Sequence, residues 1–240
     1  MILANKTEYP INYLAAIYRL SSTVRLQRNI MKIIFLASLL FNFLYANNNL
    51  KCEEYNSFKQ PKKYINCLNS YIEKNNFTAK KQLADFYYTS QKPYRNYKKA
   101  LQWYFKIESK ESQIQYTIGQ IYNVGGYGVE KNYKKAAYWY KKASENNHSG
   151  AKASLANFYI KGWGVEKNCT KALKIYKELV EQDIWYAQDA LGILYKHGTC
   201  VKKDTQKANY WRNKGYKKQM QLYNEGRAKM EKNLTKQSIQ

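Results

Sequence analysis

Ser149-Gly150-Ala151-Lys152 sets a hydroxyl and an amine three residues apart, the spacing with which serine β-lactamases pair a nucleophile with lysine. Neither Ser-Asp-Asn nor Lys-Thr-Gly, the motifs that complete such a site, occurs in the chain, so the spacing stands alone. The only histidines are His148 and His197, and the 17 carboxylates are scattered among lysines, which leaves paired acid/base chemistry without a seat. Four cysteines remain: Cys52, Cys67, Cys169 and Cys200. No pair has the two-residue spacing of a zinc knuckle, so neither a metal nor a cofactor is expected. An even number of cysteines favours two disulfides if the chain is exported, and their spacing leaves all three connectivities open.

Charge narrows the partners. The 240 residues carry 41 Lys+Arg against 17 Asp+Glu, a formal net charge of +24, but 35 of the basic residues are lysine and only 6 arginine. Base readout and bidentate phosphate clamps lean on arginine, which disfavours nucleic acid. Lys-rich solvent faces, with a pull toward acidic partners or anionic envelope surfaces, account for the balance. A hydrophobic fraction of 45% excludes wholesale disorder, and 11 Gly with 3 Pro exclude collagen-like and proline-rich chains. The 25 tyrosines suit a structure with much half-buried surface, since each can bury a ring and keep its hydroxyl wet.

Met31-Lys32 precedes an uncharged, mostly apolar run of 13 residues from Ile33 to Tyr45, ending at Ala46. That length fits the core of a secretory signal peptide (31–46) and falls short of the ~20 residues of a spanning helix. Cleavage near Ala46, with translation starting at Met31, is the reading of residues 1–46. A long basic leader held by an uncleaved anchor is its alternative. On the first reading the mature chain begins near Asn47, is periplasmic or secreted, and has no membrane span after cleavage.

The elements that would position any of these residues emerge from internal repetition. Lys-Ala recurs at Lys99-Ala100, Lys135-Ala136, Lys171-Ala172 and Lys207-Ala208, a constant step of 36. Three residues past each alanine stand Trp103, Trp139, Ile175 and Trp211. Upstream runs a second motif: Leu83-Ala84 to Tyr87, Ile118-Gly119 to Tyr122, Leu155-Ala156 to Tyr159 and Leu191-Gly192 to Tyr195. Between the motifs lie the turns Gly126-Tyr127-Gly128, Gly162-Trp163-Gly164 and Gly198-Thr199-Cys200. Apolar spacing of three and four makes each unit helix A, turn, helix B. The small residue after each Leu or Ile and the Ala of helix B admit close helix approach, and the large aromatics fill the gap to the next unit. Asn132, Asn168 and Asp204 stand where a side chain caps helix B. Ser149 and Lys152 then fall at the start of a helix A, where the repeat itself places such residues.

Gly128-Val129-Glu130-Lys131-Asn132 and Lys135-Ala136-Ala137-Tyr138-Trp139-Tyr140-Lys141-Lys142-Ala143 resemble the Sel-one-like repeats, relatives of tetratricopeptide repeats. The resemblance covers about residues 77–220. It implies an all-α fold: an α/α solenoid of about four 36-residue helix-turn-helix repeats. Residues 47–76 read as a degenerate N-terminal helical hairpin and 221–240 as a polar C-terminal capping helix. In this register Cys200 lies in the last turn and Cys169 opens helix B one unit earlier, so a Cys169–Cys200 bridge joins neighbouring repeats while Cys52–Cys67 staples the first hairpin. Closing loops of 31 and 15 residues stabilises each by about 3 to 4 kcal/mol on the chain-entropy model.

The resemblance implies a scaffold that binds a protein or cell-envelope component along the inner, concave surface of its A helices. A second reading comes from cysteine-rich secreted Sel-one-like proteins described as penicillin-binding, weak β-lactam hydrolases. This chain resembles them in fold and export signal but lacks a cysteine pair in every unit. For the scaffold, the positions two after each motif Leu or Ile, namely Asp85, Gln120, Asn157 and Ile193, point about 200° away from it and are expected to face the partner. One turn earlier the same face carries Lys81, Tyr116, Ala153 and Asp189.

Overall fold

The computed structural model describes residues 50–55, 57–107 and 111–237. The signal-peptide reading of residues 31–46 lies outside them. The chain divides into two compact units, Met1–Ala79 and Lys80–Gln240. The described residues hold nine α-helices and no β-strand.

In the first unit a short 310-helix, Lys51–Glu54, precedes α1, Pro61–Ile72. Pro61 suits a first helical turn, where its missing N–H is no loss, and it prevents the helix from growing backward. The described part of 47–76 is therefore one helix clipped to a turn, in place of two paired helices. Cys52 and Cys67 make the clip, with an S–S distance of 2.05 Å. Cys52 itself and Leu68 are fully buried.

The boundary between the units falls inside α2, Phe77–Thr89. The rest of the chain alternates A and B helices: α3 (Tyr97–Lys106), α4 (Ser112–Val124), α5 (Tyr133–Glu145), α6 (Ser149–Lys161), α7 (Cys169–Glu181), α8 (Trp185–His197) and α9 (Thr205–Gln237). Helices α4 with α5, α6 with α7, and α8 with α9 pack as pairs, and α5 on α6 and α7 on α8 join the pairs.

Three small devices recur at every A-to-B turn. Asn96, Asn132, Asn168 and Asp204 each accept a hydrogen bond from the backbone N–H three residues on, at 2.8–2.9 Å. Such caps satisfy one of the orphan amides of helix B and are each worth about 1 kcal/mol. The same four residues donate their own N–H to the carbonyls of Tyr87, Tyr122, Tyr159 and Tyr195. Those tyrosine rings in turn lie under Lys99, Lys135, Lys171 and Lys207, with ammonium-to-centroid distances of 5.2–5.6 Å. The Lys of each Lys-Ala and the Tyr of each helix A motif thus form one latch.

Among the described residues the core consists of three clusters, each built around a helix B tyrosine at one phase of the repeat. Tyr104 packs with Ile114 and Ile118, Tyr140 with Ala151 and Phe158, and Tyr176 with Leu191 and Leu194. The aromatics expected to fill the gap, such as Trp139, are only half-buried, and the fully enclosed ring is one residue later. Gly119 explains the enclosure: a Cβ there would stand 2.6 Å from the Tyr140 ring. At the fourth repeat Arg212 occupies this phase against Gly192.

The last three A-to-B turns also touch the start of the preceding helix B. Tyr127 meets Tyr97 edge-on at 4.9 Å, and Trp163 stacks on Tyr133 at 4.8 Å. At the third junction Cys200 bonds to Cys169, with a Cα–Cα distance of 5.2 Å.

Candidate partner-binding face

Helices α2, α4, α6 and α8 present the residues that the repeat phase assigns to one face, and most of them are already engaged. Lys81 donates to Glu111 at 2.5 Å. Asp85 is half-buried and accepts from the Tyr104 hydroxyl at 2.6 Å. Burial raises the Asp85 carboxyl above the usual range against the pull of that hydrogen bond, and burial followed by the Asp85 charge pushes Tyr104 up. Gln120 accepts from Tyr88 of α2 at 3.2 Å. The Ala153 carbonyl receives the Tyr176 hydroxyl, and Asp189 pairs with Arg212 at 3.5 Å. Asn157 and Ile193 are exposed, Ile193 by 45%.

Tyr116 belongs to a tighter arrangement. Its ring stacks on His148 at 4.4 Å and approaches Tyr140 at 5.7 Å. His148 caps α6: its Nδ1 accepts from the Ala151 N–H at 3.1 Å, which requires the proton on Nε2, facing Gln113 Oε1 at 3.0 Å. Burial lowers the His148 pKa below its ordinary value. Asn146 donates to Gln115 and Tyr186 donates to Ser149 Oγ at 2.7 Å. Hydroxyl and amide bonds therefore run from one repeat to the next along this side of the stack.

Ser149 is committed to Tyr186, while Lys152 donates to Asn147 at 3.3 Å. The Ser-x-x-Lys spacing does not bring its two functional atoms together. Among the described residues no group of three or more His, Cys, Asp and Glu is placed to hold a metal ion, and no helix is long and apolar enough to cross a membrane.

Sequence reasoning missed two sets of residues. Asn75, Asn147 and Asp183 hold left-handed backbone at the inter-repeat turns, with φ of 57°, 59° and 56°. Their multiple-of-36 spacing and residue type were the available signal. The second set lines an open cleft of about 380 Å³ between α8 and α9, bounded by Trp185, Asp189, Asn209, Arg212, Asn213 and Tyr216. Arg212 at a tyrosine phase was its only mark in the sequence.

The Sel1 repeat pattern matches residues 79–107, 114–148, 149–183 and 185–218, more than half of the chain. The chain belongs to the Sel1 repeat family. Each match covers one A-to-B helical hairpin, and together they run from Ala79 in α2 to Lys218 in α9. This Sel1 repeat protein is similar to the crystal structure of a Sel1 repeat protein from Oxalobacter formigenes, with 27% identity, a TM-score of 0.55, and coverage of 65% of this chain and 64% of that one. It is also similar to c5321, a protective antigen present in uropathogenic Escherichia coli strains that displays an SLR fold. There the identity is 26% and the TM-score 0.53, over 65% of this chain and 33% of that one. It thus spans less than two thirds of either relative. Among curated proteins none matches it. Sel1 repeats are scaffolds typical of protein-interaction proteins.

Proposed function

We propose that this Sel1 repeat protein is an exported, non-catalytic scaffold that docks a protein or envelope partner, acidic in character, on the inner surface formed by its A helices. The observation that carries the reading is the division of labour on that side. Lys81, Asp85, Tyr116, Gln120 and Asp189 are tied to other residues of the stack, whereas Asn157 and Ile193 stay exposed. A rigid, hydrogen-bonded platform loses little entropy when a partner adds to it. The apolar run 33–45, two disulfides and the lysine excess support export and an acidic partner. That one SLR neighbour is a protective antigen agrees with an exposed location.

The test is crosslinked affinity capture from the native envelope with wild type and an Asn157→Arg/Ile193→Asp variant. Loss of a captured partner at unchanged melting temperature is the expected result. Equal capture by both proteins places the binding surface elsewhere. Tyr116 and Gln120 are poor probes, because their own contacts join neighbouring repeats.

A further inference from the structure

Helix α9 outruns its repeat. Gly215 lies against the start of α8, where a Cβ would stand 2.8 Å from the Trp185 carbonyl, and Lys218 is tied to Asp183 at 2.7 Å. Beyond that tie, every residue from Gln219 to Asn233 except Gly226 is exposed. The exposed set includes large apolar side chains: Met220, Tyr223 and Met230, preceded by Tyr216, are 36%, 58%, 61% and 63% exposed respectively.

Apart from Leu222, which is 46% exposed and lies about 240° round the helix from Tyr216, these residues are not scattered. Tyr216, Met220, Tyr223, Arg227 and Met230 follow one another at steps of four, three, four and three, the alternation of a coiled-coil seam. At ~100° per residue they fall within a stripe about 80° wide. Lys218, Lys229 and Lys232 lie on the opposite side of the helix, about 160–220° from Tyr216. The stripe is also continuous with Asn209 and Arg212 of α9, which line the cleft and share its angular sector.

We infer that this extension of α9 pairs with the same helix of a second copy of the chain, as an antiparallel two-stranded coiled coil. Three features of the segment select this occupant and this orientation. In a parallel pair Arg227 would face its own copy in the seam; in the antiparallel pair it faces Tyr223, a cation over an aromatic face. The register that sets Tyr223 against Arg227 also sets Met220 against Met230. On the flank it places Lys217 opposite Glu231 of the second copy, twice by symmetry, in exchange for the exposed Arg227–Glu231 pair at 3.2 Å within each helix, and sliding by one heptad loses both intermolecular pairs. Gly226 falls beside the two-fold axis. In the single chain a Cβ there would meet nothing within 4 Å, so no contact explains a residue that costs about 1 kcal/mol relative to Ala in a helix. At the axis its small size lets the two helices approach. The seam is short, three heptads at most, so the dimer is expected in the micromolar range.

Sedimentation equilibrium of the full chain tests this. Dimerisation at high micromolar concentration is expected, with Met220→Lys/Met230→Lys monomeric at unchanged helix content. Lys217→Glu and Glu231→Lys should each weaken association about tenfold, and the double swap should restore it. Since the four native cysteines are paired, an introduced cysteine is the only free thiol. Asn224→Cys, beside the axis, should be joined by a short bismaleimide, whereas two copies of Gln219→Cys, about 21 Å apart along the antiparallel pair, should not. A chain that stays monomeric at all concentrations overturns the inference. So does a dimer that survives the methionine changes, or one crosslinked equally well through position 219.

Discussion

The second and third junctions of the stack solve one problem by different chemistry. At the second, the turn around Trp163 rests on the first residues of α5: the indole stacks on Tyr133 with planes 8° apart, and a Cβ at Gly164 would come within 2.2 Å of the Tyr133 carbonyl. At the third, the same two phases carry Cys200 and Cys169, and a covalent bond replaces the aromatic stack. The second junction relies on contact so close that only glycine fits. The third stands far enough apart to admit a side chain and recovers the lost contact through sulfur. A repeat can therefore keep its step of 36 residues while exchanging the means by which turn and helix are held.

The largest effect should come from the core beneath the second junction. Tyr140→Ala empties the space among Gly119, Phe158 and Ala151 and should destabilise the protein by about 3 to 5 kcal/mol in chemical denaturation. Trp139→Ala, at a half-buried ring, should cost less than half as much. Equal losses would mean that the tryptophan, as its size suggests, carries the stack.

Next in size, the double change Cys169→Ser/Cys200→Ser should cost about 3 to 4 kcal/mol, because it frees a 31-residue loop in the unfolded chain. Hydrogen exchange should show the loss concentrated in α7 and α8. Uniform loss across α4 to α8 would show that the bridge supports the whole stack and not one junction. Trp163→Ala tests the other side of the comparison: the ring is 39% exposed, and removing its stack on Tyr133 should cost about 1 kcal/mol.

The smallest effect is a pH dependence confined to the B-to-A turn between α5 and α6. The folded pKa of His148 is depressed, so the neutral ring contributes stability that is complete above its unfolded value of 6.5 and is lost as pH falls through the folded value. Protonated Nδ1 cannot accept from the Ala151 N–H, so the cap opens. Melting temperature should fall slightly between pH 7 and 5, and His148→Asn should flatten that slope. An identical slope in the variant assigns the dependence to other groups.

The repeat architecture was legible because Lys-Ala, the helix A Tyr and the caps recur at one step, and each has a local physical role. The partner face was less so. Counting 100° per residue places Asp85 and Gln120 on the surface of isolated helices, but Tyr104 and Tyr88 reach them from other helices. A tyrosine hydroxyl is long enough to cross such a gap, and nothing in the spacing of its own helix says which neighbour it finds. The end of the stack escaped for a related reason. A polar closing helix was readable from composition, whereas its fusion with the last helix B into one 33-residue α9 was not, because the close approach of Gly215 to α8 is a contact between helices that no spacing within α9 reveals.

Cys200 sits at φ +62°, in the left-handed region where its counterparts are glycines. A non-glycine residue there carries a backbone cost of about 1 to 2 kcal/mol that the bridge offsets. Opening the bond with reductant and deleting it by Cys200→Gly are thus different operations: the first leaves the cost in place, the second removes it. A mutational path from a glycine turn to this one is correspondingly ordered. Installing Cys169 first spares the intermediate the left-handed penalty, whereas starting at position 200 imposes it before any partner sulfur exists.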